Sequence, residues 1–183
     1  MEYRLRVAML ADEPALGALI GRSIRELGAP DYSPAQIEAA LRGAFGVDTT
    51  LIRDGTYFVA LDREGSIVAC GGWSARRTLF GSDTRPERDE GRLDPALEAA
   101  RIRAFFVDPA HARCGLGRAI LERSEAAARS AGFCRCELMA TLPGVRLYER
   151  CGYVAASPIE HPLAEGLTIR FVPMSKRLSA GAA

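Results

Sequence analysis

The chain has only two histidines, no C-x-x-C pair, and no apolar run near the roughly 20 residues needed to span a bilayer. So few imidazoles argue against a metal centre, and none is expected. Its five cysteines, Cys70, Cys114, Cys134, Cys136 and Cys151, are odd in number and irregularly spaced, so they read as reduced thiols and not a disulfide framework. An excess of one charge is also missing. Twenty-four Lys and Arg stand against 23 Asp and Glu, a formal charge of +1, so no global field draws the protein to nucleic acid or to an anionic membrane. The opening Met1-Glu2-Tyr3-Arg4-Leu5-Arg6 carries charge where a secretory signal needs an apolar stretch, and a cytoplasmic protein is expected.

What is present is enough for one compact domain: 183 residues, 48% hydrophobic and 26% charged. Tyr3 to Met9 alternates as a strand. Asp12 can cap a helix whose Leu16, Leu19, Ile20, Ile24 and Leu27 follow helical spacing up to Gly28. Ser33-Pro34-Ala35-Gln36 is a capping-box arrangement that opens a second helix ending near Gly43. Thr56 to Asp62 and Ser66 to Ser74 form a hairpin around Arg63-Glu64-Gly65. Ala75 to Ala100 is polar and interrupted by Gly and Pro, and reads as a long surface loop.

Arg101 to Val107 reads as a central strand closed by Asp108-Pro109, followed by a helix from Gly115 to Ala131. On a helical wheel Leu116, Ala119, Ile120, Ala127 and Ala131 oppose Arg118, Glu122, Glu125 and Arg129, with Arg123 as the misfit on the apolar side. Phe133 to Ala140 forms a strand, Gly144 to Cys151 a short helix capped by Gly152, Tyr153 to Ala155 a strand start, and Leu167 to Met174 a last strand. The order predicts a mixed sheet with helices on its faces and an embedded parallel unit from Arg101 to Ala140.

The chemistry concentrates at Gly115-Leu116-Gly117, where a helix start offers unpaired amides and a positive dipole end to a phosphate. Arg113 and Arg118 flank it and suit a polyanion. A dinucleotide site is a rival, since Glu137 lies 20 residues beyond Gly117. Against it, Ile120 takes the third glycine position, and Asp108 to Cys114 intervene where that fingerprint turns at once. A Walker A loop fails for want of Gly-Lys-Ser/Thr.

The run from Val107 to Leu121, VDPAHARCGLGRAIL, closely resembles the acetyl-CoA signature of the GNAT superfamily of N-acetyltransferases, whose pattern is Q/R-x-x-G-x-G/A. Ala112 stands where Gln or Arg is usual, with Arg113 next to it. Leu147-Tyr148-Glu149-Arg150-Cys151-Gly152-Tyr153 is similar to the family's Y-E-x-x-G-F segment, and Phe171 to Leu178 to its final strand. The resemblance implies an α/β (α+β) GNAT fold with a mixed, mostly antiparallel central sheet. It would form one domain over residues 1–178, with 179–183 as a tail.

By the same resemblance, acetyl-CoA is the cosubstrate. It is bound by Phe105, Phe106 and Val107 at a splayed strand end and by Ala112, Arg113, Cys114, Gly115, Leu116, Gly117 and Arg118 at the phosphate loop. Tyr148 is the general acid for the departing thiolate. The implied reaction acetylates a primary amine; a non-catalytic acyl-CoA sensor on the same fold is the alternative. No carboxylate lies on the Arg101 to Val107 strand. Glu26, Asp31, Glu160 and His161 are therefore the candidate bases, with an ordered water as the substitute. The acceptor has no signature, and a homodimer would be unsurprising for the family.

Overall fold

The computed structural model describes residues 2–83, 89 and 91–179. Strand β1 (Arg4–Val7) leads through a short 3-10 turn into helix α1 (Glu13–Leu27). Asp12 stands at the helix start but does not cap it through its side chain. Its carboxylate instead accepts from the Met9 amide at 2.8 Å and from Arg6 at 2.6 and 2.8 Å, fastening β1 to the helix entrance. Helix α1 buries Leu16, Leu19, Ile20 and Ile24, as its period requires. Helix α2 (Pro34–Leu41) carries the full capping box: Ser33 Oγ accepts from the Gln36 amide and Gln36 Oε1 from the Ser33 amide. Helix α3 (Thr49–Arg53), begun by Asp48, is five residues long, too short to leave a period in the sequence.

The hairpin forms from β2 (Tyr57–Leu61) and β3 (Ile67–Ser74), and β4 (Ala100–Val107), α4 (Leu116–Ser130), β5 (Arg135–Thr141) and α5 (Val145–Arg150) follow in the order expected. Two short strands, β6 (Val154–Ala155) and β7 (Ile159–Pro162), precede β8 (Thr168–Arg177). The sequence leaves β7 unassigned and ends β8 three residues early; β7 gains its form only by pairing with β8. The sheet runs β1-β2-β3-β4-β5-β8-β6, with β7 also on β8, and every pairing is antiparallel except β4 with β5. Period-2 alternation sends Tyr57, Val59 and Leu61 into a core shared with α1 and α2, while Phe58 and Ala60 enter a second core beneath α4.

Two positions on α4 differ from the wheel. Arg123 stays exposed and sets its guanidinium over the Phe58 ring, 5.5 Å from the centroid, so the misfit covers apolar surface while its charge remains in water. Glu125, expected on the polar side, is buried and accepts from Lys176 at 2.7 Å. The 75–100 segment is more anchored than a surface loop. Arg76 pairs with Asp54, Ser82 donates to the Gly43 carbonyl, and Leu93 is buried in the α4-side core. Residues 84–88 and 90 of that segment, and 180–183 of the expected tail, lie outside the described residues.

Strand β4 is irregular where it matters. Cys70 pairs with Phe106 and Gly72 with Arg103, so Gly71 alone faces both Ala104 and Phe105, which makes a bulge. Ala104 has φ of 56°, in the left-handed region that costs an L-residue roughly 1–2 kcal/mol. A Cβ on Gly71 would sit 2.7 Å from the Phe105 ring, so the ring lies directly over the glycine. The Ala104 carbonyl accepts from the Tyr57 hydroxyl, buried inside the sheet, at 3.1 Å. Beside the bulge, Arg103 and Asp48 form an ion pair at 2.6 Å with side chains 1% and 0% exposed, and Arg103 also donates to the Gly81 carbonyl.

Removing one partner of such a pair strands a buried charge. Asp48→Ala is therefore expected to lower unfolding stability by about 3–5 kcal/mol, read as a shift of the urea midpoint. Tyr57→Phe deprives the Ala104 carbonyl of its hydroxyl donor. It should cost about 1–3 kcal/mol in the same measurement, with the slope unchanged.

Candidate active site

Strands β4 and β5 pair only at Ala100 with Cys136 and Arg101 with Glu137. Past these positions they separate, and a small cleft of about 70 Å³ occupies the gap. Residues 102–106 of β4 form one wall and Met139 and Thr141 of β5 the other. Phe105 and Tyr148 belong to the α4-side core, whereas Phe45, Phe106 and Phe171 belong to the α1-side core. All five line the cleft, so it draws on residues of both cores.

The turn after β4 prepares the start of α4. Asp108 accepts from the Ala110 amide at 3.0 Å, beginning a 3-10 turn over Pro109–His111, and from Arg22 of α1 at 2.9 Å. Partial burial works against the Asp108 carboxylate, but the hydrogen bonds from Arg22 and Ala110 outweigh it and hold the group below the usual carboxylate range. His111 Nδ1 lies 3.2 Å from the Tyr3 hydroxyl, which gives that histidine a structural partner. Arg113 and Gly115 are both left-handed, at φ 62° and 83°, and Arg113, Cys114 and Gly115 are exposed, with Ala112 partly so.

Gly115 is the N-cap of α4 and supplies no side chain to its first amides, which leaves the helix start open to an anion. The two glycines have different reasons. A Cβ on Gly115 would meet nothing within 4 Å, whereas one on Gly117 would lie 2.9 Å from Leu147 Cδ2, so Gly117 lets α4 approach α5. Arg118 extends from the first turn and donates to Glu122 at 2.8 Å, both side chains exposed.

Tyr148, on α5, is buried with its ring edge-on to Phe105 (6.2 Å) and to Tyr153 (5.7 Å). Among the described residues no hydrogen bond engages its hydroxyl, and burial pushes that hydroxyl well above its ordinary pKa. The Val107 amide is turned away from β3 and donates to Ser23 Oγ of α1 at 3.3 Å. Phe106 stands edge-on to Phe45.

Of the expected bases, Glu26 and Asp31 are exposed and line no part of the cleft. Glu160 accepts from Arg170 at 2.7 Å and from Thr168 at 3.1 Å, and these bonds hold its carboxyl below the usual range. His161 packs against Phe80 (4.8 Å) and Phe171 (6.0 Å), both of which line the cleft, so it stands closest to the opening. Sequence reasoning missed Phe45, Phe80, Arg103 and Thr141. They come from four separate stretches, and no spacing along the chain joins them. Tyr32 was missed as well: its hydroxyl donates to the Arg170 carbonyl and accepts from the Leu142 amide, tying the α1–α2 connection to the ends of β5 and β8.

Known proteins share this architecture. The structure aligns with a GCN5-related N-acetyltransferase (aminotransferase, class-II) from Rhodopseudomonas palustris at a TM-score of 0.71 and 19% identity, covering 97% of each chain. It aligns with the PaiA N-acetyltransferase of Thermoplasma acidophilum, in complex with coenzyme A, at 0.67 and 13%, covering 97% of this chain and 100% of the other. A phosphinothricin acetyltransferase from Sinorhizobium meliloti, in complex with acetyl-CoA, aligns at 0.64 and 18%, covering 97% and 89%. At these identities the likeness is one of fold. No curated protein matches the chain by sequence. The acetyltransferase (GNAT) family model matches residues 22–153, a span that includes the bulged strand, the phosphate loop and Tyr148, and the chain belongs to that family.

Proposed function

We propose that the protein transfers the acetyl group of acetyl-CoA to a primary amine, with Tyr148 as the general acid. The observation that carries this reading is the cleft at the divergence of β4 and β5, lined by Tyr148 from the α4-side core and by Phe45, Phe106 and Phe171 from the α1-side core. Bound acetyl-CoA supplies the acetyl group already activated as a thioester. The chain's own residues fit it: Ala112, Arg113, Cys114 and Gly115 shape an exposed turn at an uncapped helix start. The amides of Leu116, Gly117 and Arg118 then serve as donors to the pyrophosphate, with the arginines adding charge. Phe105, Phe106 and Val107 border the gap through which the arm would pass. A β4 amide freed from the ladder by the divergence is the donor for charge developing on the carbonyl oxygen.

Tyr148 suits an acid because burial keeps its phenol protonated wherever the enzyme is folded, and its hydroxyl is uncommitted among the described residues. Proton removal from the amine falls to water or to His161 at the rim. A non-catalytic acyl-CoA sensor is the second reading, favoured by one observation: among the described residues the cleft lining contains no carboxylate. Release of free thiol in the presence of an amine separates the two, since a sensor binds coenzyme A and releases none. The reading takes the setting to be cytoplasmic and the partners to be acetyl-CoA and the amine. No helix among the described residues is long and apolar enough to cross a membrane.

Tyr148→Phe is expected to lower kcat by about 10²–10⁴-fold while acetyl-CoA affinity stays near the parent value; unchanged turnover removes Tyr148 from the chemistry. The pH dependence follows from the sign of the shift. A raised tyrosine pKa keeps the acid form present, so kcat should rise as the amine deprotonates and then stay level to about pH 10. An alkaline fall below that, lost in Tyr148→Phe, would show that the tyrosine titrates normally.

A further inference from the structure

The acceptor side of the cleft has a definite chemistry. Phe45, Phe80, Phe106 and Phe171 form a linked set of rings: Phe45 is edge-on to Phe106 (6.2 Å) and to Phe171 (6.0 Å), and Phe80 lies 5.2 Å from Phe171. Met139 completes the wall. Among the described residues of the lining the charged side chain is Arg103, and it is paired with Asp48. Carboxylates on the framing segments are committed elsewhere: Asp83 accepts from the Thr49 amide, Glu160 from Arg170, and Glu165 from Arg42.

Resting on the acetyl-transfer reading of this cleft, the geometry points to an acceptor whose single primary amine is carried on a small aromatic or apolar body, with Phe80 as the residue that selects it. The rings offer such a body a surface it can cover without stranding a polar group. Their faces can hold one ammonium on entry. A second ammonium meets no carboxylate among the described residues of the lining, so a polyamine or aminoglycoside would leave a cation desolvated and unpaired. The same surroundings favour the neutral form of the one amine that enters, which lowers the demand on a base. Phe80 is the selecting residue because it is half-buried and comes from the segment after β3, packing on Phe171 and His161 without belonging to the sheet.

The test uses the full chain with 2-phenylethylamine, spermidine and kanamycin, following thiol release from acetyl-CoA. The expected result is kcat/KM for 2-phenylethylamine about tenfold or more above either polycation. Phe80→Ala should raise KM for 2-phenylethylamine about tenfold with acetyl-CoA binding unchanged, which also shows that the variant is folded. Phe80→Glu, which supplies the missing carboxylate, should shift preference toward spermidine. Faster turnover of spermidine or kanamycin by the parent protein overturns the inference while leaving acetyl transfer standing. Calorimetric binding of 2-phenylethylamine to the coenzyme A-loaded protein reads the pocket apart from turnover. Binding that Phe80→Ala abolishes, with no thiol released from any amine, keeps the pocket and overturns the transferase reading. Neither binding nor turnover of 2-phenylethylamine overturns the inference.

Discussion

The separation of β4 from β5 is the constraint around which the rest of this molecule is arranged. A parallel pair that closed along its whole length would seal the sheet and keep its two cores apart. Here the ladder stops after two residue pairs, and the bulge in β4 begins three residues later. An alanine in the left-handed region is unfavourable on its own terms, and three features hold it there: Gly71, which leaves room for the Phe105 ring, the Tyr57 hydroxyl on the Ala104 carbonyl, and the Arg103–Asp48 pair alongside. Strain held by its surroundings at a cleft is the usual mark of a working site.

The two faces of the opening have different chemistry. On the α4 side the helix start, the left-handed turn and the packing of Gly117 on Leu147 form one rigid unit, braced to α1 by Arg22 and Asp108. That unit suits an anion. On the α1 side the described lining is aromatic, and its Arg103 is paired with the buried Asp48. The first side is built from contiguous backbone, whereas the second is assembled from side chains of distant segments.

The turn and helix start from Ala112 to Arg118 were legible in the sequence because their form resides in consecutive residues: a strand end, a helix start and two glycines leave a local pattern. The helices with clear periods, the capping box at Ser33 and the β2–β3 hairpin were legible for the same reason. Glu125 was misplaced because a wheel sorts residues by polarity, and Lys176, which satisfies it in the interior, lies 51 residues away. Helix α3 and strand β7 were too short to show a period, and the 75–100 segment is held by partners such as Asp54 and Gly43 that its own composition does not announce.

By itself, then, the sequence determined the order of elements, the glycine-started helix after β4, and the tyrosine on the short helix that follows. Tertiary structure alone decided that β4 bulges at Ala104, that Gly117 serves packing while Gly115 serves the turn, and that Phe45, Phe80, Phe106 and Phe171 meet in one chamber. The physical reason is the range of the interactions. Capping, periodicity and turn geometry act over a few residues and are written locally, whereas burial, register shifts and ring packing join positions tens of residues apart, and only the folded chain brings these together.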